Sequence, residues 1–98
     1  MLNTIISAIR NRHVLTFEYG GIQRTVEPHA VGVSKIGNDV VRCYQTNGEN
    51  ISPGQEWILC ELSKISKLVD TGTSFSGVRA EYKKGDKEML RPYIYAEL

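Results

Sequence analysis

The sequence predicts a mainly β fold: an N-terminal amphipathic helix, then about four or five short antiparallel strands that curl into a small barrel with the helix over one opening. Three observations predict it. Leu2, Ile5, Ile6 and Ile9 recur at helical spacing. From Val14 onward the apolar residues alternate with polar ones instead, as in half-buried strands. Turn signals at Gly20-Gly21 and Gly37-Asn38 separate the alternating runs.

Each element has its own local reason. The helix is short, so it must dock on the sheet to persist. His13 is expected at its end beside Arg10 and Arg12, where cations suit the helix dipole. Val14 to Tyr19 reads as a half-buried strand. Gly20-Gly21 suits a tight hairpin because both residues tolerate positive φ. Ile22 to Val33 is the returning strand, interrupted at Pro28. Proline cannot donate to a ladder, so this point marks an edge, a bulge or a break. Val40 to Thr46 is a third strand, Asn47 to Glu56 a polar loop, and Trp57 to Leu62 a fourth strand. Ile65, Leu68 and Val69 continue an apolar pattern of unassigned type. Phe75, bracketed by Gly72 and Gly77, is expected to anchor a surface segment. Arg79 to Glu88 reads as a helical turn or an irregular excursion, and Tyr93 to Leu98 as a last strand.

A length of 98 residues and 41% hydrophobic content fit one globular domain, and 23% charged residues do not point to disorder. Twelve Lys and Arg against 11 Asp and Glu leave a net charge of +1. The charge balance does not indicate a globally basic nucleic-acid binder, and it leaves room for a local basic patch. No apolar run approaches the roughly 18 residues of a membrane span. Met1 to Ile9 lacks the pattern of a signal peptide, because polar residues break it and its charges follow instead of preceding. A cytoplasmic protein is the expectation. Cys43 and Cys60 lie in apolar strand-like stretches and are expected to be free thiols. Without C-x-x-C or H-x-x-x-H spacing, no metal site is expected, and nothing implies a cofactor.

The residues offer little to catalysis. There is no nucleophile elbow, phosphate-binding glycine loop or H-E-x-x-H. Glu18 and Glu27 read as solvated strand residues more readily than as a carboxylate pair. No enzyme is expected. Binding has more to draw on. Arg24, His29, Arg42, Tyr44 and Gln45 fall on adjacent predicted strands, and Arg42 and Tyr44 share a face by parity. Arginine offers a planar fork for phosphate or carboxylate, and tyrosine a stacking face. An alternative stands beside this: Arg42 pairs with Glu18, Glu27 or Asp39, and Tyr44 fills the barrel mouth. Trp57 reads as core or as a stacking surface. Lys83, Lys84 and Lys87 interleave with Glu81, Asp86 and Glu88, as on a solvated face.

The order of these residues resembles the WYL-domain family. The resemblance rests on Ala8-Ile9-Arg10, Leu15-x-Phe17-x-Tyr19 and Arg24-Thr25-Val26-Glu27-Pro28-His29. It continues through Val41-Arg42-Cys43-Tyr44-Gln45, Gly48, Ser52, Trp57-Ile58-Leu59, Leu62-x-x-Ile65 and Phe75. The tail with Arg79, Tyr82, Asp86 and Met89 is similar to that of short single-domain members. The tripeptide that names the family would fall near Asp39-Val40-Val41 and is absent, and Lys64 stands where the family carries arginine. The helix-turn-helix domain and the C-terminal extension of WYL regulators are not expected within these 98 residues. The resemblance implies one domain over 1–98, with a core of about 4–75 and a C-terminal extension over 76–98. It implies a small Sm-like barrel, related to Src-homology-3-like folds. It further implies a bacterial ligand sensor tied to transcription control or phage defence.

The expected function is thus a standalone regulatory module that binds a nucleotide or single-stranded nucleic acid through a basic-aromatic pocket. Arg24, His29, Arg42 and Tyr44 carry over from the family pocket, with Gln45, Ser52, Trp57 and Lys64 as further ligand-binding candidates. The alternative is a protein-interaction module, a homo-oligomer or a modulator docked on a regulatory partner, without nucleic-acid binding. A small enzyme ranks third.

Overall fold

The computed structural model describes residues 1–48 and 54–98. It contains a helix α1 (Leu2–Asn11) and six strands: β1 (His13–Tyr19), β2 (Ile22–Ser34), β3 (Asp39–Gly48), β4 (Trp57–Glu61), β5 (Ile65–Ser74) and β6 (Met89–Glu97). A 3-10 turn at Leu62–Lys64 joins β4 to β5. All strand pairings are antiparallel. The order along the main sheet is β4-β3-β2-β1-β5, and β6 pairs β2. The sheet is therefore open: among the described residues no pairing joins β4 to β5 and closes a barrel.

The helix ends at Asn11, two residues before the His13 end that its cationic run suggests. Arg12 takes a left-handed cap (φ 55°), and its N–H returns to the Ala8 and Ile9 carbonyls. His13 consequently opens β1 and pairs with Asp70 of β5 at 3.0 Å, instead of ending the helix. Ile5, Ala8 and Ile9 are buried. They join Leu15, Phe17, Val26, Val31, Val41, Cys43 and Cys60 in the main core. Both thiols are free and buried. Gly20 and Gly21 have φ of 64° and 74°, the hairpin geometry their sequence implies. No described helix is long and apolar enough to cross a membrane.

The strand β2 organises the molecule. Its first half pairs with β1, from Ile22↔Tyr19 to Val26↔Leu15. Its second half pairs with β6, from Ala30↔Glu97 to Ser34↔Met89. Its other edge pairs with β3 along most of its length. Pro28 lies where the neighbour changes, so its missing N–H breaks no continuous ladder. A register shift between Pro28 and Ala30 leaves His29 as the extra residue of a bulge. One inserted residue reverses the faces. Val26 and Val31 both reach the main core, although strict alternation would separate them.

Beyond β5 the chain takes an irregular course over 75–88 before β6, as an excursion and not a helix. This strap crosses the face of β2, β3 and β4 opposite the helix. A second apolar cluster lies there: Ala30, Val40 and Met89, flanked by Leu59, Tyr82 and Ile94.

Candidate functional site

Strand periodicity decides which side chains meet under the strap. On β3, Val41 and Cys43 face the main core, so Arg42 and Tyr44 face the other way. Opposite them on β4 stand Leu59 and Trp57. On β2, Glu27 lies across from Tyr44, and Ala30 from Arg42. The bulge turns His29 toward the same face. Its ring meets Trp57 edge-on at 4.8 Å, Phe75 stacked at 5.9 Å and Tyr82 tilted at 5.1 Å. Trp57 also meets Tyr44 edge-on at 5.2 Å and Tyr82 at 6.0 Å. Phe75 is thus an anchor, holding the start of the strap against His29.

Two ion pairs of opposite sense fasten the strap. Arg79, on the strap, donates to both carboxylate oxygens of Glu27, at 2.8 and 2.9 Å. Its guanidinium also lies 4.2 Å above the Tyr44 ring, in a cation–π contact. The hydrogen bond to Glu27 raises the Arg79 pKa further. The second pair runs the other way. Arg42, on the sheet, donates to both oxygens of Asp86, at 2.7 and 3.3 Å. Burial pushes the Asp86 carboxyl up, but the Arg42 hydrogen bonds and charge, with the Glu88 N–H, outweigh it and hold the carboxyl below its usual value.

His29 is committed on both sides. Its Nδ1 donates to the Glu27 carbonyl at 2.9 Å, and its Nε2 accepts the Arg79 backbone N–H at 3.2 Å. Only the neutral Nδ1–H tautomer makes both bonds. Burial lowers its pKa accordingly. In this structure His29 is the strut between sheet and strap, with no ring nitrogen left over.

Between sheet and strap lies a cavity of about 470 Å³, lined by Arg42 and Trp57 on one side and by residues 81–88 on the other. That volume suits a small organic ligand. Four cations (Arg42, Lys83, Lys84, Lys87) and three carboxylates (Glu81, Asp86, Glu88) line it, a net of +1. Two of the lining side chains carry a buried donor without an acceptor, Trp57 Nε1 and the Tyr82 hydroxyl. Burial pushes the Tyr82 pKa up to about 12, so the hydroxyl keeps its proton. Orphaned buried donors are rare and ask for a partner.

The structure brings His29, Arg42, Tyr44 and Trp57 together. Arg24 and Gln45 lie elsewhere. Gln45 has the parity of Cys43, so it faces the main-core side, where its Oε1 accepts from Arg24 Nη1 at 2.9 Å. Arg24 also donates to the Tyr19 carbonyl and sits 5.7 Å from that ring. Lys64 is exposed in the 3-10 turn and pairs with Glu61. Ser52 lies outside the described residues. Arg42 does take a carboxylate, but from Asp86 and not from Glu18, Glu27 or Asp39. Glu18 and Glu27 do not face one another: Glu18 stands opposite Gln23 and pairs with Lys67. Sequence reasoning passed over Arg79, Tyr82 and Asp86 as site residues. Their signal was a tyrosine, an arginine and an aspartate inside an otherwise charged stretch.

Among the described residues no three His, Cys, Asp or Glu side chains converge to hold a metal ion. No protein-family model, curated protein or solved structure matches this chain.

Proposed function

We propose that this chain is a ligand-sensing module that binds a nucleotide, or the base and phosphate of a single-stranded nucleic acid, in the cavity between Arg42, Trp57 and the strap. The observation that carries the reading is the pairing of a basic, aromatic-walled cavity with two buried donors that lack acceptors. A nucleobase is planar and rich in acceptors. Its edge acceptors can take the Trp57 N–H and the Tyr82 O–H, which lie in the planes of their rings. Lys83, Lys84 and Lys87 line the same cavity and offer cations to a phosphate. We assign no catalytic step to the site, and we place the module in transcription control or phage defence on the strength of the WYL resemblance alone. The Sm-like barrel belongs to the same reading. Its support is the strand order, in which β1 lies between β2 and β5 and the fifth strand curls back toward the first.

The test uses fluorescence anisotropy with labelled single-stranded DNA and RNA, and quenching of Trp57 by mononucleotides, at low and physiological salt. Trp57 is the sole tryptophan, so its signal reports this cavity alone. Salt-sensitive binding that is lost in Arg42→Ala and in Lys83→Ala/Lys84→Ala supports the reading. Absence of both anisotropy change and quenching at low salt overturns it.

One observation favours a second reading. The edges of β4 and β5 are unpaired among the described residues, and Val69 on β5 is exposed. Unpaired edges invite a second copy of the chain. Light scattering that gives a monomer at high concentration dismisses it.

A further inference from the structure

We infer that the Asp86 carboxylate occupies the anion seat of Arg42, and that a phosphate-bearing ligand enters the cavity by displacing it. This deepens the nucleotide reading and rests on it.

Arg42 presents its Nε and Nη2 edge to Asp86 as a fork, the geometry with which arginine takes either a carboxylate or a phosphate. The Asp86 side chain is only 7% exposed, so the seat is a desolvated one. Yet the occupant is not part of the sheet. It belongs to the irregular segment before β6, and both Arg42 and Asp86 line the cavity. Near Asp86 the segment has one tie to the rest of the fold besides Arg42, the Gly85 N–H to the Glu97 carboxylate at 2.9 Å. The Glu88 N–H to the Asp86 carboxylate at 2.9 Å and the Met89 N–H to the Asp86 carbonyl at 3.1 Å lie within it or at its end. The segment can therefore yield locally while Arg79, Phe75 and His29 keep its start in place.

Charge favours the exchange. Asp86 brings one negative charge, whereas a phosphate monoester brings nearly two at neutral pH. Lys83, Lys84 and Lys87 also line the cavity, and among the described residues none has a carboxylate within ion-pair distance. A phosphate has more oxygens than the carboxylate it replaces, and so has acceptors to spare for these lysines. The occupied seat also leaves Trp57 Nε1 and the Tyr82 hydroxyl without acceptors. A ligand carrying both phosphate and base satisfies all of these groups, and inorganic phosphate satisfies only the seat.

The experiment titrates Trp57 fluorescence with adenosine monophosphate and, separately, with inorganic phosphate. The proteins are wild type, Asp86→Asn, Asp86→Ser and Asp86→Asn/Arg42→Gln, each checked for folding by its urea midpoint. Both single variants are expected to bind the mononucleotide on the order of tenfold tighter than wild type, and the gain should vanish without Arg42. Inorganic phosphate should gain less than the mononucleotide. Hydrogen exchange of the Gly85 amide should quicken when wild type is saturated with the mononucleotide. If wild type binds through Arg42 but both Asp86 variants bind no more tightly, the displacement idea is overturned and the cavity reading survives. If no variant responds to the mononucleotide, both fall together.

Discussion

The most exacting consequence of the strap is the cost of removing Arg79. Arg79→Ala deletes two hydrogen bonds to Glu27, at 2.8 and 2.9 Å, and the guanidinium 4.2 Å above Tyr44. The Glu27 side chain is only 10% exposed, so its charge is left behind in a site that water barely reaches. A hydrogen bond to a charged group contributes about 1.5–3 kcal/mol. An exposed cation–π contact adds roughly 0.5–1 kcal/mol. Arg79 itself is 40% exposed, and solvent screening trims the ionic part. A loss of about 2–3 kcal/mol is expected, which for a chain of this size lowers Tm by roughly 10–20 °C. The assay is urea denaturation followed through Trp57, reading the midpoint at constant slope. Glu27→Gln removes the stranded charge, so the double variant should fall short of additivity by about 1–2 kcal/mol. A cost below about 0.5 kcal/mol for Arg79→Ala, or additive single and double variants, would refute the clamp.

Three further outcomes follow from the same contacts. Burial lowers the His29 pKa in the folded state, so its contribution to stability is complete above the unfolded value near 6.5. It is lost as the pH falls from there toward the folded value, at up to about 1.4 kcal/mol per pH unit. Urea midpoints from about pH 7 to about pH 5 should therefore fall more steeply for wild type than for His29→Gln, and equal slopes would remove the strut role. Gly32→Ala should cost about 1–3 kcal/mol and detach β6, because the new Cβ lies 2.7 Å from the Tyr93 carbonyl oxygen and 3.0 Å from Ile94 Cα. A variant as stable as wild type, or amide exchange in β6 left unchanged, contradicts that contact. Burial raises the Cys43 pKa well above the ordinary thiol value and the Cys60 pKa to about 12. Neither thiol should react with a disulfide reagent at mildly alkaline pH until the chain is unfolded, and prompt reaction in the native state disproves their enclosure.

Much of the fold was legible because alternation is a local signal. Leu15 and Phe17 face one side of β1 and are buried as their period demands. Arg42 and Tyr44 share a face for the same reason. Parity also explains why Gln45 parts from them: it follows Tyr44 by one residue and must point the other way. The bulge at His29 was not legible. Pro28 announces an interruption, but whether the chain then breaks or inserts a residue depends on where β6 docks. That choice sets the faces of both His29 and Ala30. The strap was the other blind spot. Asp86 reaches Arg42 across 44 positions and Arg79 reaches Glu27 across 52, and no local pattern encodes such meetings. Interleaved charges over 81–88 look the same in sequence on a solvated face and over a cavity. His13 was misplaced for a smaller reason. A left-handed cap at Arg12 stops the helix, and arginine gives no warning of that conformation.

The most direct test of the cavity uses the single indole N–H of the protein. Trp57 Nε1 is buried and lacks an acceptor, so its proton resonance should lie upfield of a hydrogen-bonded indole. In a two-dimensional nitrogen–proton spectrum titrated with a mononucleotide, the account predicts that this signal shifts downfield. The amides of residues 81–88 should move with it. A nucleotide that shifts other surfaces while the indole and the strap stay still, or that shifts nothing, contradicts the assignment of this cavity as the binding site.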